Sequence, residues 1–328
     1  MMSIKWGVLG TGRIARAFSN ALSYVKDAEL YAVASRNKDK SILFANEFGF
    51  LNSYGSYEEL FKDDSIDIVY IATPMASHYD LCISALQNGK NVFCEKSVTL
   101  NVNQLNNILD LARNKNLFFC EAMWMKCLPS YLKMKEWIND GKIGDICYIK
   151  SDFSNFVPFD KDDRLFRLDC GGGALLDVAV YPITLVHDLL GTPEIIDSSV
   201  HIRDGIDISE TLIFKYKIGA FASIDCGFEI KLSNNAVISG TNGSIVFDDY
   251  FFCSDSVSLY DENRILVEHF KSPHLLNGYE FEIEEVHRCL NQHSKDSILI
   301  PNSETVEVMK IMDYLRSEWK IVYPDEYL

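Results

Sequence analysis

A glycine-rich turn near the start of the chain, Gly10-Thr11-Gly12-Arg13-Ile14-Ala15, constrains the fold more than any other feature. The apolar segment 4–9 before it predicts a short buried strand, and small and apolar residues at helical spacing follow it. A strand, a G-x-G-x-x-A turn and a helix are typical of a dinucleotide pyrophosphate site, because the glycines let the backbone approach the phosphates and the helix start supplies N–H donors. The turn therefore predicts a Rossmann unit in which the residues from Gly10 to Ile14 contact a cofactor.

The composition narrows the classes of partner. A formal net charge of -16 over 328 residues argues against nucleic acid and against an acidic membrane surface, since both require a basic face. A few local donors can still bind an anionic cofactor. The nine cysteines include no C-x-x-C pair, and no His, Asp or Glu grouping has metal-ligand spacing, so we expect free thiols and no metal. With no basic and apolar leader at the amino terminus, we expect a cytoplasmic protein.

The chain up to about residue 122 alternates predicted strands and helices. After the glycine turn, strands are expected at 30–34, 66–72, 91–94 and 117–120. Repeated βα units of this length predict a doubly wound parallel sheet with helices on both faces. We assign residues 1–122 to a dinucleotide-binding Rossmann domain.

From about residue 145 the pattern changes to strands joined by short turns. Strands are expected at 146–153, 195–202, 210–217, 221–228, 236–239, 244–247 and 256–260. This spacing predicts an α+β domain with a mainly antiparallel sheet, flanked by helices near 174–190 and 279–291. We assign residues 123–328 to a second, α+β domain, and a last helix at about 304–319 could pack back on the first domain.

The end of the second strand bears on cofactor preference. An acidic residue there binds the ribose 2′-hydroxyl of NAD, whereas the 2′-phosphate of NADP needs a cation and donors. The chain has Ser35-Arg36-Asn37-Lys38 at this point, with no carboxylate before Asp39. Because a guanidinium suits a phosphate, Ser35 and Arg36 favour NADP(H) over NAD(H), which stays possible. If the segment has no part in binding, it is a solvated polar loop.

Two further segments follow predicted strands of the first domain. Glu95-Lys96 lies at the carboxyl end of the strand at 91–94, where open α/β sheets bind their ligands. A lysine there can stabilise an alkoxide or lower the pKa of a neighbouring acid, although an isolated pair of this kind is usually a surface ion pair. Thr73-Pro74 ends the strand at 66–72, and His78 follows in a helix. We expect these residues to build the cofactor site, with Lys96 also catalytic.

A third segment, Gly171-Gly172-Gly173, opens a predicted helix. Asp177 and Tyr181 are four residues apart on that helix and share one face. A tyrosine hydroxyl near a lysine can exchange a proton with a carbonyl/alcohol couple, whereas the structural alternative is a half-buried tyrosine beside an exposed aspartate. Pro182 removes an intrahelical hydrogen bond and predicts a kink. His187 lies about 80° from the direction of Asp177 on the helical wheel, so we expect it to be a structural histidine and not the catalytic base.

Together these segments resemble the Gfo/Idh/MocA oxidoreductases, the family of glucose–fructose oxidoreductase and myo-inositol dehydrogenase. The resemblance spans the chain and rests on the glycine turn, Ala72-Thr73-Pro74 with His78, Cys94-Glu95-Lys96, and the helix from Gly171 to Tyr181. Two departures stand out. Ser97 replaces the proline that follows Glu-Lys in the family, and Ala179 stands where the family often has glycine.

Two other motifs resemble a narrower branch, the dimeric dihydrodiol dehydrogenases and NADP-dependent D-xylose dehydrogenases. They are Glu121-Ala122-Met123-Trp124 and the segment 278–283. This resemblance implies NADP(H), an open-faced antiparallel sheet in the second domain, and homodimers or dimers of dimers that pack through that sheet. Carried over by motif, it implies Lys96 and Tyr181 as the catalytic pair, with Asp177 beside them. The implied substrate pocket is lined by Trp124, Phe153 and Tyr279.

The sequence thus predicts an NADP(H)-dependent oxidoreductase that transfers a hydride between nicotinamide and a hydroxyl or carbonyl carbon of a sugar, polyol or cyclic diol. In the oxidative direction, Tyr181 would accept the hydroxyl proton while Lys96 stabilises the phenolate and the alkoxide. Two alternatives stay open, since one fold hosts many reactions. The first is an imine reductase, or a lyase or glycosidase that uses NAD in a redox-neutral cycle. The second is a non-catalytic dinucleotide-binding sensor, against which the intact Lys96, Asp177 and Tyr181 argue.

Overall fold

The alternating pattern of the first part of the chain folds into a six-stranded sheet in which every described pair of neighbouring strands is parallel. The computed structural model describes residues 3–324 and residue 326. The strands are β1 (Ile4–Leu9), β2 (Ala28–Ala34), β3 (Asn52–Tyr54), β4 (Ile68–Ile71), β5 (Asn91–Glu95) and β6 (Phe119–Ala122). The helices between them are α1 (Arg13–Leu22), α2 (Lys38–Phe48), α3 (Tyr57–Phe61), α4 (His78–Gln87) and α5 (Val102–Asn114). The predicted Rossmann fold is confirmed, whereas the pattern did not predict the short elements β3 and α3.

The strand order of this sheet is β3-β2-β1-β4-β5-β6. The order reverses between β1 and β4, and doubly wound sheets bind their ligands at the carboxyl ends of the strands at such a point. The glycine turn follows β1, Thr73-Pro74 follows β4, and Glu95-Lys96 lies at the end of β5. These segments therefore share the edge of the sheet at which a dinucleotide is expected.

The second sheet has eight strands in the order β14-β13-β12-β11-β7-β10-β9-β8. They are β7 (Ile146–Ser154), β8 (Ile195–Arg203), β9 (Ile206–Lys215), β10 (Phe221–Gly227), β11 (Ala236–Gly240), β12 (Gly243–Phe247), β13 (Ser256–Asp261) and β14 (Leu266–Lys271). Among the described strands, β7 and β10 pair in parallel and the other neighbours are antiparallel. The predicted mainly antiparallel sheet is confirmed, and β14 is an additional strand.

Among the described residues, four α-helices lie outside the first βα series: α6 (Pro129–Asn139), α7 (Val180–Leu190), α8 (Tyr279–Asn291) and α9 (Asn302–Trp319). The pattern did not predict α6. The stretch Leu168–Leu190 is long and apolar enough to cross a membrane by length and composition alone. However, 72% of its most apolar window is buried inside the protein, as expected for a core helix of a globular fold.

The chain divides into two compact units. Unit 1 comprises Met1–Trp124 and Leu275–Val306, and unit 2 comprises Met125–His274 and Glu307–Leu328. The sequence pattern assigned all of 123–328 to the second domain, whereas in the structure α8 packs within unit 1. The reason is tertiary: Trp6 Nε1 of β1 donates to His287 Nε2 of α8 at 3.0 Å.

Candidate functional site

The glycine turn of unit 1 leaves space for a phosphate group. Gly10 has φ +99°, and a Cβ there would lie 2.6 Å from the carbonyl oxygen of Ala72, so only glycine fits. A Cβ on Gly12 would meet nothing within 4 Å. Gly12 caps α1 without a side-chain hydrogen bond, and the first turn of α1 carries no acidic residue. An open approach and a helix start without negative charge fit the pyrophosphate of a dinucleotide.

The end of β2 presents a cation and no carboxylate. Ser35 is buried and its Oγ accepts a hydrogen bond from the Asn37 N–H at 3.3 Å. Arg36 is exposed, and its positive charge acts on the hydroxyl of Tyr57. Burial raises the pKa of Tyr57, and Arg36 opposes that rise. The Asn37 side chain accepts from the Lys40 N–H at 3.1 Å and so caps α2, which places Asp39 in the first turn of that helix.

His78 connects two of the predicted cofactor segments. Its ring is buried, with Nδ1 3.1 Å from the Ser97 carbonyl oxygen and Nε2 2.9 Å from the Thr73 carbonyl oxygen. Burial lowers the pKa of His78 to about 4. The ring is therefore neutral at pH 7 and donates to only one of these oxygens. The His78 ring thus lies between Thr73-Pro74 and the segment that follows Lys96.

The segment from Glu95 to Val98 is anchored by side chains of β4 and β6. The Tyr70 hydroxyl donates to the Glu95 carboxylate, and the Val98 N–H donates to Glu121 Oε1 at 3.1 Å. Burial raises the pKa of Glu121 to about 7 against the hydrogen bond from Val98. Lys96 is half-buried and the Lys96–Ser97 peptide bond is cis. Glu121 stands in the branch motif and could have been suspected, whereas nothing in the sequence singles out Tyr70.

Two of the residues implied for the substrate pocket lie together in unit 1. The Trp124 and Tyr279 rings stack at 4.4 Å between centroids, with an angle of 9° between their planes. Tyr279 is the first residue of α8, whose start is fixed because the Glu280 carboxylate accepts from the Gly278 N–H at 2.8 Å. The result is a flat aromatic surface of two rings.

The helix that carries Asp177 and Tyr181 in unit 2 is distorted. Residues Leu175–Ala179 form a π-helical turn, and α7 follows without a break. The predicted kink at Pro182 therefore takes the form of a wider turn just before it. The physical reason is that a proline ring crowds the carbonyl four residues earlier, here Val178, which lies in the widened turn.

Asp177 has a basic neighbour in unit 2. The Arg164 guanidinium lies 3.3 Å from Asp177 Oδ1. This pair is partly exposed, so it contributes little stability and mainly fixes the orientation of the carboxylate. The sequence did not single out Arg164.

Tyr181 lies in an aromatic environment. Its ring centroid is 5.7 Å from that of Phe153 and 5.2 Å from that of Phe252. Phe153 and Phe252 stack on each other at 4.0 Å. The structure thus brings Phe153 and Tyr181 together and adds Phe252, which the sequence presents only as part of an apolar run.

Asp188 and His187 of this helix have side-chain partners within unit 2. Asp188 Oδ2 accepts from the Tyr131 hydroxyl at 2.8 Å and from Lys135 Nζ at 2.9 Å, while Asp188 Oδ1 accepts from Lys126 Nζ at 3.2 Å. Burial alone would raise the pKa of Asp188, but the positive charges of Lys126 and Lys135 outweigh burial and hold this pKa below its usual range. His187 Nε2 lies 3.4 Å from the Thr192 hydroxyl. Within the described part of the chain, no three His, Cys, Asp or Glu residues are grouped as a metal site.

Two family models match the chain. The model described as "Oxidoreductase family, NAD-binding Rossmann fold" matches residues 4–122, and the model of the GFO/IDH/MocA C-terminal domain matches residues 131–246. The chain belongs to the Gfo/Idh/MocA oxidoreductase family.

Relatives in this family match over nearly the whole chain. The trans-1,2-dihydrobenzene-1,2-diol dehydrogenase of Xenopus tropicalis is 31% identical over 98% of this chain and 100% of its own length. The human enzyme of the same name is 28% identical over 99% of both chains. The predicted family, including its resemblance to dihydrodiol dehydrogenases, is confirmed.

Solved structures of the same fold include two complexes with nicotinamide cofactors. The 3-ketoreductase KijD10 of Actinomadura kijaniata, in complex with NADP and TDP-benzene, has a TM-score of 0.85 at 24% identity and covers 96% of this chain and 97% of its own. A levoglucosan dehydrogenase in complex with NADH and levoglucosan has a TM-score of 0.86 at 20% identity, with both chains covered completely. At these identities the likeness supports the fold.

The Gfo/Idh/MocA assignment confirms the enzyme class predicted from the sequence. The chain is an NAD(P)-dependent oxidoreductase with a nicotinamide dinucleotide site on its Rossmann sheet. The roles of the individual residues stay predictions, and the geometry above shows where each one lies within its own unit.

Proposed function

We propose that this chain is an NADP(H)-dependent dehydrogenase or reductase that acts on a CH–OH group, or the matching carbonyl, of a sugar, polyol or cyclic diol. The observation that carries the proposal is the setting of Tyr181, a phenol beside the rings of Phe153 and Phe252. Aromatic rings around a proton-transferring hydroxyl suit a ring-shaped substrate with an apolar face. The dihydrodiol dehydrogenases, which match this chain from end to end, are named for such a substrate.

The proposed chemistry divides between the cofactor and the chain. When bound, the nicotinamide supplies or accepts the hydride. Tyr181 accepts the hydroxyl proton in the oxidative direction and returns it in the reductive direction. The Lys96 ammonium stabilises the negative charge that develops on the Tyr181 phenolate and on the substrate alkoxide. The Asp177 carboxylate, oriented by Arg164, supplies a negative charge that offsets the positive charge of the site. Trp124, Tyr279 and Phe153 contact the substrate, and apolar rings of this kind exclude water.

The test is a screen for NADP⁺ reduction over aldoses, polyols and cyclic diols. For the best alcohol, we expect Tyr181→Phe and Lys96→Met each to lower turnover by about a hundredfold or more, as for loss of a general acid–base group. Both variants should bind NADPH like the wild type. Tyr260→Phe, a similar change at a half-buried tyrosine of β13, is the matched control.

The outcomes separate the alternatives. Near-wild-type turnover in either variant would contradict the assigned roles. Product formed without net NADPH consumption would favour the redox-neutral lyase or glycosidase, and activity confined to imines would favour the imine reductase. Cofactor binding with no turnover on any substrate would favour the sensor.

Preference for NADP(H) is a separate part of the proposal. It is supported by Arg36 and Ser35 at the end of β2, where no carboxylate stands to bind a ribose 2′-hydroxyl. We expect NADPH to bind at least about tenfold more tightly than NADH, because a guanidinium makes charge-assisted bonds to a 2′-phosphate. Arg36→Ala should abolish this difference, while Lys40→Ala, which removes an exposed cation of α2, should keep it. Equal affinities in the wild type would overturn the preference.

We also propose a homodimer, or a dimer of dimers, formed through the open face of the second sheet. Burial alternates along β10: Ala222 and Ile224 are buried, whereas Phe221 is 46% exposed. Phe221 lies 4.6 Å from the ring of Tyr148 on β7, so the exposed face carries an aromatic pair. Sedimentation equilibrium should give a dimer or tetramer for the wild type and a smaller species for Phe221→Asp. A monomeric wild type would contradict the proposal.

The cytoplasmic location is likewise proposed. It is supported by nine cysteines that are all free thiols. Fractionation of cells that express the full chain should recover it with cytoplasmic markers, and recovery with secreted or membrane fractions would contradict it.

A further inference from the structure

The turn Gly171-Gly172-Gly173, which precedes the helical stretch with Tyr181, has no free space around its second and third glycines. A Cβ on Gly172 would lie 2.7 Å from the carbonyl oxygens of Arg164 and Leu165, and a Cβ on Gly173 would lie 2.4 Å from Asp207 Oδ1. The Gly173 N–H donates to the Leu165 carbonyl at 3.0 Å. The turn continues directly into the helical stretch that carries Tyr181. Its position therefore sets where that helix begins.

Two buried side chains from distant parts of unit 2 hold this turn. The Tyr323 hydroxyl donates to the Gly172 carbonyl oxygen at 2.8 Å, and Asp207 Oδ2 accepts from the Leu175 N–H at 2.6 Å. Tyr323 is only 1% exposed, and Asp207 is fully buried. A buried hydrogen bond to a main-chain carbonyl is costly to lose, because the carbonyl is then left without its partner. The turn is thus fixed by contacts that lie outside its own segment.

Tyr323 is itself held in place by the residues around it. The Arg316 guanidinium donates to Asp313 Oδ1 and to the Glu326 carboxylate, with one bond of 2.9 Å to each. The Tyr323 N–H donates to Glu326 Oε2 at 3.1 Å. The Arg316 guanidinium carbon also lies 5.0 Å from the centre of the Tyr323 ring, within range of a cation–π interaction. The hydrogen bond from its backbone N–H to Glu326 and the Arg316 guanidinium over its ring leave Tyr323 little freedom to move.

We propose that Tyr323 is a positioning residue for Tyr181, acting through the carbonyl of Gly172. Tyr323, in the segment after α9, holds the turn at Gly172. That turn fixes where the helical stretch begins, and Tyr181 lies further along the same stretch, at the second residue of α7. The inference rests on the proposed function, because it concerns the proton transfer assigned to Tyr181. It goes beyond that function by giving the segment after α9 a part in catalysis without contact to the reacting groups.

The test compares Tyr323→Phe with Tyr314→Phe in the full chain. Tyr323→Phe removes the hydroxyl but keeps the ring beside Arg316, so the variant should fold. Tyr314 is 47% exposed on α9 and provides a matched loss of a hydroxyl. With the best alcohol of the NADP⁺-reduction screen, we expect Tyr323→Phe to lower kcat about tenfold, since small misplacements of catalytic groups have effects of this size or larger. KM and the Kd for NADPH should stay within about twofold, as a loss confined to the transition state requires.

A double variant and hydrogen exchange complete the design. Adding Tyr323→Phe to Tyr181→Phe should lower the remaining rate less than about twofold, because a residue that acts through Tyr181 has no effect once its hydroxyl is gone. Amide exchange measured by mass spectrometry should rise in peptides that cover 172–181 and stay unchanged in peptides that cover the glycine turn at 10–15.

Each outcome decides the proposal. A kcat equal to that of Tyr314→Phe overturns it, even if exchange at 172–181 rises, because Tyr323 would then only stabilise the fold. Equal losses in the wild-type and Tyr181→Phe backgrounds also overturn it. If the wild type oxidises no alcohol, the proposed function fails and the positioning role for Tyr181 fails with it; exchange at 172–181 then shows only whether Tyr323 holds the turn.

Discussion

Replacing the buried Glu121 by Gln should stabilise the protein at alkaline pH and leave it nearly unchanged at acidic pH. Glu121 is 4% exposed, and burial raises its pKa from 4.5 to about 7, although the Val98 N–H donates to its carboxylate. The folded state therefore binds a proton more tightly than the unfolded state. Stability falls as the pH rises from the unfolded to the folded pKa, and the loss is complete above the folded value.

The size of the effect follows from the two pKa values. A rise from 4.5 to about 7 corresponds to a loss of about 3 kcal/mol above the folded pKa, at about 1.36 kcal/mol for each pH unit. Gln has nearly the same shape, carries no charge to desolvate, and keeps an oxygen that accepts from Val98. Between about pH 5 and about pH 8, the advantage of Glu121→Gln in free energy of unfolding should thus grow by about 2–3 kcal/mol.

Urea unfolding of the wild type and Glu121→Gln at several pH values measures this difference directly. The other titrating groups cancel in the comparison, since they are common to both proteins. Glu58→Gln, a similar change at an exposed carboxylate of α3, is the control and should give a difference that hardly depends on pH. A difference for Glu121→Gln that stays constant over this range would refute the reasoning, because it would mean that Glu121 ionises in the folded state as easily as in the unfolded state.

Two further predictions concern single groups. Gly12→Ala should leave the free energy of unfolding within about 0.5 kcal/mol of wild type, since its Cβ meets no atom within 4 Å. It should weaken NADPH binding in a fluorescence titration by more than about tenfold, and unchanged affinity would place the phosphates elsewhere. Asp188→Asn should lower the free energy of unfolding by about 3 kcal/mol in urea, because it removes the carboxylate that accepts from Lys126 and Lys135. The pKa of Asp188 is held low in the folded state, so the wild type should lose this stabilisation only when the pH falls through that low pKa. The difference in stability between the two proteins should therefore shrink in acid, and a difference that acid leaves unchanged would contradict the prediction.

The fold class was predictable because it depends on local periodicity. The predicted strands of the first sheet are apolar segments that end at turns, and such patterns are local in the sequence. The cap of α5 is local as well, since Asn101 Oδ1 accepts from the Gln104 N–H at 2.9 Å. The elements that escaped prediction are short or poorly patterned, such as β3 with three half-buried residues. The place of α8 could not be predicted either, since the hydrogen bond from Trp6 to His287 joins residues 281 positions apart.

The residues of the candidate site likewise divide into those that the sequence predicts and those that only the structure reveals. Residues such as Lys96 and Tyr181 stand out because their chemistry and their place after a strand or along a helix are visible in sequence. Phe252 and Arg164 do not stand out, since an aromatic run and an exposed arginine are common in proteins of every function. Their importance comes from what they contact: the ring of Tyr181 and the carboxylate of Asp177.

The segment around Ser97 shows why a departure from a family motif need not disturb the residue beside it. Tyr70 contacts the Glu95 carboxylate, His78 contacts the Ser97 carbonyl, and Glu121 accepts from the Val98 N–H. The last two contacts use main-chain atoms, so they do not depend on which side chain stands at position 97. Because the three anchoring residues come from β4, α4 and β6, the surroundings of Lys96 are set by the tertiary fold. The Glu-Lys dipeptide could therefore predict a role for Lys96, while the contacts that hold its segment in place become visible only in the structure.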